Sequence, residues 1–237
     1  MLDRIEFSVN DFAEDLILIK CPSDALNQNP LIFWQLSKTL LASLTDIEVI
    51  PGEDSLAVKV NLLKKTRPQY LIDLNNVLST FQPEFKEESS ELITVPICYD
   101  DEFALDMNDI SLSKGLSKQE VIDAHCGIEY QVKMIGFTPG FIYIGDLSDL
   151  LILPRLKTPR VFVPSGSIGL ANKRTGIYSL GGPGGWPIIG RTPTNFFDPK
   201  KEDPSLIQPG MRLRLSLIHI SEPTRRTPIS YAVFCLK

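Results

Sequence analysis

Two arginines in the second half of this 237-residue chain stand beside prolines that stiffen their backbone. Arg160 follows Pro159, and Arg191 lies in the run Gly190-Arg191-Thr192-Pro193. A guanidinium presents a fork of donors that matches a carboxylate or a phosphate, so both arginines are candidates for anion binding. The alternative for both is a surface ion pair or a cap on a turn carbonyl.

His125 is the third chemical candidate. Ser117 and Glu120 form a capping box that predicts a short helix ending near His125, where the helix dipole favours the charged form of the imidazole. A histidine placed there would move a proton in catalysis. Because no nucleophile partner is evident, a structural histidine with satisfied hydrogen bonds is the alternative. Cys126 adjoins it but points elsewhere on a helix, so we interpret it as packing.

Glycine- and proline-rich turns surround these residues. Such turns fix the backbone and leave amide N–H groups uncovered, and rows of free amides bind carboxylate or phosphate oxygens. We therefore expect a site at the rim of the second half, although the same turns would also serve only to connect strands. Several aromatic residues would either frame an apolar pocket there or fill a core: Tyr130, Phe137, Phe141, Tyr143, Tyr178 and Trp186.

The elements that must position these residues fall into two parts. Thirteen of the 15 glycines lie from Gly127 to Gly210, so the chain changes character near residue 125. Apolar runs before that point predict strands at 15–21, 47–50, 56–60 and 93–99. Leucine and phenylalanine spacing predicts a helix at about 30–44, capped by Asn29-Pro30, and another at 71–81. This βαββαβ order is typical of a ferredoxin-like domain.

The second part has the pattern of an all-β domain. Short apolar runs at 130–135, 141–144, 161–163, 168–170, 177–180 and 188–189 are separated by Gly/Pro turns. This spacing favours a closed barrel. We predict an α+β chain with a ferredoxin-like domain at 1–90, an acidic linker near 84–91 and a β-barrel domain at 91–215.

Composition excludes several classes of protein. The net charge of −5 argues against holding nucleic acid or an anionic membrane by the overall field. No apolar run is long enough for a membrane span, and the start of the chain carries acidic residues where a signal peptide would carry basic ones, so we expect a cytoplasmic protein. The four cysteines form no metal-ligand spacing, so we predict reduced thiols and no metal site. The sequence contains no Walker motif, dinucleotide fingerprint or biotin-carrying Met-Lys-Met.

Five motifs of the second part resemble, in order, those of the family of 5-oxoprolinase B subunits, also described as the allophanate hydrolase subunit 1 or kinase-inhibitor family. They are Gly136-Phe137-Thr138-Pro139-Gly140-Phe141, Pro159-Arg160, Val163-Pro164-Ser165-Gly166-Ser167, Pro183-Gly184-Gly185-Trp186 and Ile189-Gly190-Arg191-Thr192-Pro193. The resemblance runs from about His125 to Arg214. It implies that the predicted barrel is cyclophilin-like.

The resemblance also implies a function and a set of site residues. It implies an ATP-dependent complex with A and C subunits that hydrolyses 5-oxo-L-proline to L-glutamate, with ATP and Mg²⁺ held with or by the partners. Other branches imply an inhibitor of a sensor histidine kinase, or a subunit of an allophanate hydrolase or urea carboxylase system. The predicted catalytic residues are His125 and Arg191. The predicted substrate- and anion-binding residues are Phe137, Pro139, Gly140, Phe141, Arg160, Ser165, Gly166, Thr175, Tyr178, Gly184, Gly185, Trp186 and Thr192.

The last 22 residues, 216–237, depart from the family pattern. They resemble a translated sequencing adapter fused to a truncated reading frame, so we predict a non-native tail. Residues 229–235 nevertheless alternate like a strand, which shows that period-two patterning alone is weak.

Overall fold

A computed structural model describes residues 5–28, 31–84, 92–201 and 203–218, and the chain divides into two units between residues 89 and 90. Each unit has its own buried apolar core. The predicted cap at Asn29-Pro30 and most of the predicted linker, residues 85–91, lie outside the described residues. The predicted mixture of helices and strands is confirmed.

The first unit is a four-stranded antiparallel sheet that packs against helices. Its strands are β1 (Ser8–Ala13), β2 (Leu16–Lys20), β3 (Ile47–Pro51) and β4 (Leu56–Val60), in the order β1-β2-β4-β3. Its helices are α1 (Ser23–Gln28), α2 (Ile32–Ser43) and α3 (Arg67–Thr80). Side chains alternate along a strand, so Ile17, Ile19, Leu56 and Val58 all reach the core and pack with the apolar stripes of α2 and α3.

The predicted ferredoxin-like order of the first unit is not confirmed. The run at 93–99, expected as its last strand, forms β5 (Leu92–Cys98) and pairs within the barrel of the second unit. The edge beside β2 is instead occupied by β1, which the sequence did not reveal because five of its six residues are exposed. An apolar run predicts a strand but not the sheet that it joins, because tertiary packing chooses the partner.

The second unit contains the predicted closed barrel, which the structure confirms. Its further strands are β6 (Glu129–Ile135), β7 (Ile142–Gly145), β9 (Ser167–Ala171), β10 (Arg174–Ile177), β12 (Ile188–Arg191) and β13 (Arg212–Ile218). The order around the barrel is β10-β7-β6-β13-β5-β12-β9, closed by pairing of β9 with β10. Inward-facing residues such as Val95, Val132, Ile144 and Leu170 fill the interior, so it is a packed core.

Several elements are not part of the barrel wall. The strands β8 (Arg160–Val163) and β11 (Gly182–Gly184) form a separate two-stranded ribbon. The helices α4 (Met107–Lys114) and α5 (Lys118–Cys126) follow β5, and a short 3₁₀ turn spans Asp149–Leu151. The predicted capping box starts α5: the Ser117 hydroxyl accepts the Glu120 N–H, and the Glu120 carboxylate accepts the Ser117 N–H.

The predicted tail begins inside a described strand. Residues 216–218 complete β13 and pair in parallel with residues 96–98 of β5. Residues 219–237 lie outside the described residues, so their non-native origin stays a prediction. Within the described part of the chain, no helix combines the length and apolar character that crossing a membrane requires.

Candidate functional site

One end of the barrel carries a pocket of about 540 Å³, within the size range of small-ligand sites. Because β9 runs antiparallel to β10 and β12, the start of β9 meets the ends of those two strands here. The pocket is lined by Phe103, Ser165, Gly166, Ser179, Leu180, Gly181, Arg191, Thr192, Pro193, Thr194, Asn195 and Phe197. Among these described residues Arg191 alone is charged, so the pocket favours an anion.

Arg191 is the last residue of β12, and its guanidinium is held on two sides. Nε donates a hydrogen bond to the Ser165 carbonyl oxygen at 2.9 Å. Cζ lies 5.9 Å from the centre of the Phe103 ring, within reach of a cation–π contact. No carboxylate of a described residue pairs with Arg191. Its two terminal nitrogens can therefore donate to a ligand, in the paired geometry that matches a carboxylate.

Gly166 holds together the backbone segments that form one wall of the pocket. Its φ of +81° lies in the left-handed region, and a Cβ there would clash with the Thr192 carbonyl oxygen. The Gly166 N–H donates to the Tyr178 carbonyl at 2.6 Å, and the Thr192 N–H donates to the Gly166 carbonyl at 2.8 Å. Three wall segments are thus joined by backbone hydrogen bonds, and only glycine fits at their junction.

The remaining polar groups of the pocket are neutral. The Ser179 hydroxyl donates to the Gly140 carbonyl. The side-chain oxygen Oδ1 of Asn195 accepts the Phe197 N–H at 3.2 Å, and the NH₂ group of this exposed side chain can donate to a ligand. Gly140 does not line the pocket but supports it, because a Cβ at its φ of +74° would clash with the ring of Phe197. The site therefore offers one cation and several neutral donors.

His125 lies away from this pocket, in a chain of hydrogen bonds inside the barrel. Its ring is fully buried. Nδ1 lies 2.7 Å from the Tyr99 hydroxyl, and Nε2 lies 2.9 Å from the Thr175 hydroxyl oxygen. The Thr175 hydroxyl donates to the Gly169 carbonyl at 3.3 Å, so it accepts from Nε2–H. Nδ1 then accepts from Tyr99, which assigns the Nε2–H tautomer.

The ionisation state of His125 differs from the prediction. Burial lowers the pKa of His125 to about 3, so the ring is neutral at physiological pH. The predicted charged form is wrong because desolvation outweighs the favourable end of the α5 dipole. Burial also raises the pKa of Tyr99, which stays a neutral donor. Both ring nitrogens have partners, as expected of a structural histidine, and a catalytic role for His125 stays a prediction.

Three predicted aromatic site residues form a cluster of their own. Phe141, Tyr178 and Trp186 are buried, and the ring of Phe141 lies 4.9 Å from Tyr178 and 5.5 Å from Trp186 between centres. Only 7% of Trp186 is exposed, so its side chain packs within this cluster rather than facing a partner. Gly184 lets the ribbon pass close to the Tyr178 hydroxyl, where a Cβ would clash.

Arg160 forms an ion pair, which is the alternative interpretation of its sequence position. One terminal nitrogen donates to the Asp106 carboxylate at 2.6 Å. The second carboxylate oxygen of Asp106 accepts the Ile188 N–H, and the Asp106 N–H donates to the Ile188 carbonyl at 2.8 Å. Asp106 thereby joins α4, β8 and β12. Arg160 does not line the pocket.

The predicted site residues therefore separate into five places. The pocket brings together Ser165, Gly166, Arg191 and Thr192. The loop before β7 carries Phe137, Pro139 and Gly140, and the aromatic cluster with the adjoining ribbon and turn contains Phe141, Tyr178, Gly184, Gly185 and Trp186. The buried hydrogen-bond chain contains His125 and Thr175, and Arg160 lies in its ion pair with Asp106.

Four of the twelve lining residues were predicted, and the other eight were not. Among these eight are the polar and aromatic side chains of Phe103, Ser179, Thr194, Asn195 and Phe197. A signal existed for the last three, because they directly extend the motif that ends at Pro193 with polar and aromatic side chains. Ser179 likewise follows the predicted Tyr178. Phe103 carried no local signal, since it enters the pocket from a loop far away in sequence.

The fold and the pocket together define a class of protein. The closed seven-stranded barrel fits a cyclophilin-like domain, as the motifs implied. A family model described as "Carboxyltransferase domain, subdomain C and D" matches residues 7–207. The chain belongs to this family.

Curated relatives show which members of this family the chain resembles. The chain is 34% identical over 182 residues to the 5-oxoprolinase B subunit of Escherichia coli O157:H7, which covers 76% of this chain and 82% of that protein. It is 36% identical over 174 residues to the 5-oxoprolinase B subunit of Bacillus subtilis (strain 168), with 69% and 72% covered. These relatives confirm the resemblance that the motifs indicated.

Solved structures share the fold. The protein TTHA0988 superposes with a TM-score of 0.70 at 27% identity, over 95% of this chain and 42% of its own. Urea carboxylase of Kluyveromyces lactis superposes with a TM-score of 0.69 at 15% identity, over 90% of this chain and 22% of its own. The chain thus spans less than half of either protein, and the second likeness shows the fold alone.

Proposed function

We propose that this chain is the B subunit of an ATP-dependent 5-oxoprolinase that hydrolyses 5-oxo-L-proline to L-glutamate. The observation that carries the proposal is the identity of 34–36% to proteins of that name, over more than two thirds of both chains. The pocket at Arg191 supports it, because the proposed substrate is a small ring with one carboxylate.

The pocket supplies the binding part of the reaction. The terminal nitrogens of Arg191 would hold the carboxylate of 5-oxoproline, and neutral donors such as the Asn195 amide would bind the lactam. A lactam is a poor electrophile because its nitrogen shares electron density with the carbonyl. Donors fixed near its oxygen favour attack by water, because they stabilise the negative charge that develops there.

The pocket alone does not fit ATP. A triphosphate with its metal ion needs several cations or a phosphate-binding loop, whereas Arg191 is the single charged group among the described lining residues. The described residues also contain no group of three or more His, Cys, Asp or Glu side chains placed to hold a metal ion. We propose that partner subunits hold the nucleotide.

The same reasoning makes the chain dependent on partners. The described lining of the pocket contains no acid–base pair, and His125 is neutral and enclosed elsewhere. We therefore propose that the A and C subunits complete the site in a cytoplasmic hetero-oligomer. A cytoplasmic location remains a proposal.

Reconstitution tests this function. The purified chain, mixed with the A and C subunits, is expected to convert 5-oxoproline to glutamate when ATP is present, and the chain alone is expected to be inactive. Arg191→Gln in the assembled complex should lower turnover by more than about tenfold without changing the melting temperature. Full turnover by the chain alone would contradict the need for partners, and normal turnover by the variant would place the anion elsewhere.

A second candidate is a carboxyltransferase-side subunit of urea or allophanate metabolism. The description of the matching family and the shared fold with a urea carboxylase favour it. Assaying the same complex with allophanate and with urea separates the two candidates, since the first predicts turnover of 5-oxoproline only. Inhibition of a sensor histidine kinase stays a prediction.

A further inference from the structure

The described lining of the pocket carries one positive charge and no negative charge. Its polar groups are one guanidinium, four hydroxyl groups and one side-chain amide: Arg191, Ser165, Ser179, Thr192, Thr194 and Asn195. No aspartate or glutamate lines it in the described part of the chain. The nearest acidic residues in sequence, Glu102 and Asp198, lie next to lining residues but outside the lining.

A lining with this charge should bind the substrate and the product of the proposed reaction with different affinities. 5-Oxoproline carries one carboxylate and an uncharged lactam, whereas glutamate carries two carboxylates and an ammonium group. An ammonium ion that leaves water needs a counter-charge, and this lining supplies none. The nearby Arg191 would also repel it. Glutamate further brings a second carboxylate for which the lining has no second cation.

We infer that this pocket selects small monoanions whose remaining part is neutral, and that it rejects zwitterionic amino acids. On the proposed function, which supplies the identity of the ring, the pocket would bind 5-oxoproline more tightly than glutamate. Discrimination is then a property of this chain, whereas turnover is a property of the complex.

Four ligands of similar size test this selectivity in calorimetric titrations of the full chain. They are 5-oxo-L-proline, 2-pyrrolidinone, which lacks the carboxylate, L-proline, which has an ammonium group in place of the lactam, and L-glutamate. We expect 5-oxoproline to bind and the other three to bind more than about tenfold more weakly, because each leaves one charge or donor unpaired.

Three variants test whether Arg191 is the group that binds the carboxylate of 5-oxoproline. Arg191→Gln should weaken 5-oxoproline binding by more than about tenfold. Lys157→Gln removes one positive charge at an exposed position outside the pocket lining and should leave binding unchanged. Arg191→Lys keeps the charge but loses the fork of donors, so it should bind with intermediate affinity even if the glutamine variant fails to fold.

Equal affinity for L-proline, L-glutamate and 5-oxoproline would overturn the inference, since it would mean that a group such as Glu102 or Asp198 reaches the ammonium. Undetectable binding of all four ligands would overturn it as well. Selective binding by the chain without turnover in the reconstituted complex would refute the proposed function and leave the inference standing. Turnover of 5-oxoproline by the complex, together with equal binding of the ligands by the chain, would support the proposed function and refute the inference.

Discussion

Lowering the pH from 7 to 5 should destabilise the barrel unit through His125 alone by about 2 kcal/mol. In the folded barrel the ring stays neutral down to a pKa of about 3, whereas in the unfolded chain it takes up a proton near its ordinary value of 6.5. Between these values the unfolded state binds more protons, so stability falls as the pH falls. The full loss, reached below pH 3, is about 5 kcal/mol.

The measurement compares the parent protein with His125→Gln in urea titrations at pH 7, 6 and 5. Glutamine keeps a donor for the Thr175 hydroxyl but does not titrate. Both proteins carry Trp34→Phe, so that fluorescence reports only Trp186 in the barrel unit. The other titrating groups cancel in the difference between the two free energies of unfolding. We expect that difference to shrink by about 2 kcal/mol from pH 7 to pH 5.

A difference that stays constant within about 0.5 kcal/mol would refute this reasoning, because it would mean that His125 titrates normally in the folded barrel. The parent protein provides a second readout if the variant does not fold. The chain has only two histidines, so their ring signals can be assigned by NMR. The His125 signals should not shift between pH 7 and pH 5 if the ring is as enclosed as its zero exposure indicates.

Three further predictions concern packing and ion pairing in the barrel unit. Trp186→Ala should cost about 3–5 kcal/mol in urea unfolding followed by circular dichroism, and a small loss would place its ring at the surface. Gly166→Ala should lower the free energy of unfolding by about 2 kcal/mol or more. The control is Gly182→Ala, where a Cβ meets nothing within 4 Å, and its free energy of unfolding should lie within about 1 kcal/mol of the parent. Equal melting temperatures of the two variants would contradict the predicted clash at Gly166. Arg160→Ala should cost about 2 kcal/mol or more, and the double variant with Asp106→Ala should lose less than the sum of the two single losses; a purely additive double variant would show that the pair is uncoupled.

Local patterns sufficed for elements whose signal lies in a few neighbouring residues. The alternation of Leu56, Val58 and Val60 predicted β4, and the capping box at Ser117 predicted the start of α5. The pairing of β5 could not be predicted in this way. Its apolar residues fit either sheet, and its long ladder is with β13, more than 100 residues later in the chain.

The site shows the same division. Ser165, Gly166, Arg191 and Thr192 belong to turns whose composition already indicated an anion site, and they do meet at the pocket. The neutral state of His125 was not predictable, because helix position reveals the dipole but not how completely the barrel removes water. Contacts between distant segments set that burial.

The parallel ladder between β5 and β13 also sets the order in which this protein can form during synthesis. The described strands and helices of the first unit all precede residue 84, so they can form while the barrel is still being translated. The first barrel strand, β5, cannot form its parallel ladder until residues 212–218 have been synthesised. Until then its apolar edge stays unpaired and is prone to aggregate. Such distant pairing slows folding. A chain cut before residue 212 would thus lose the closure of the whole barrel rather than a single strand.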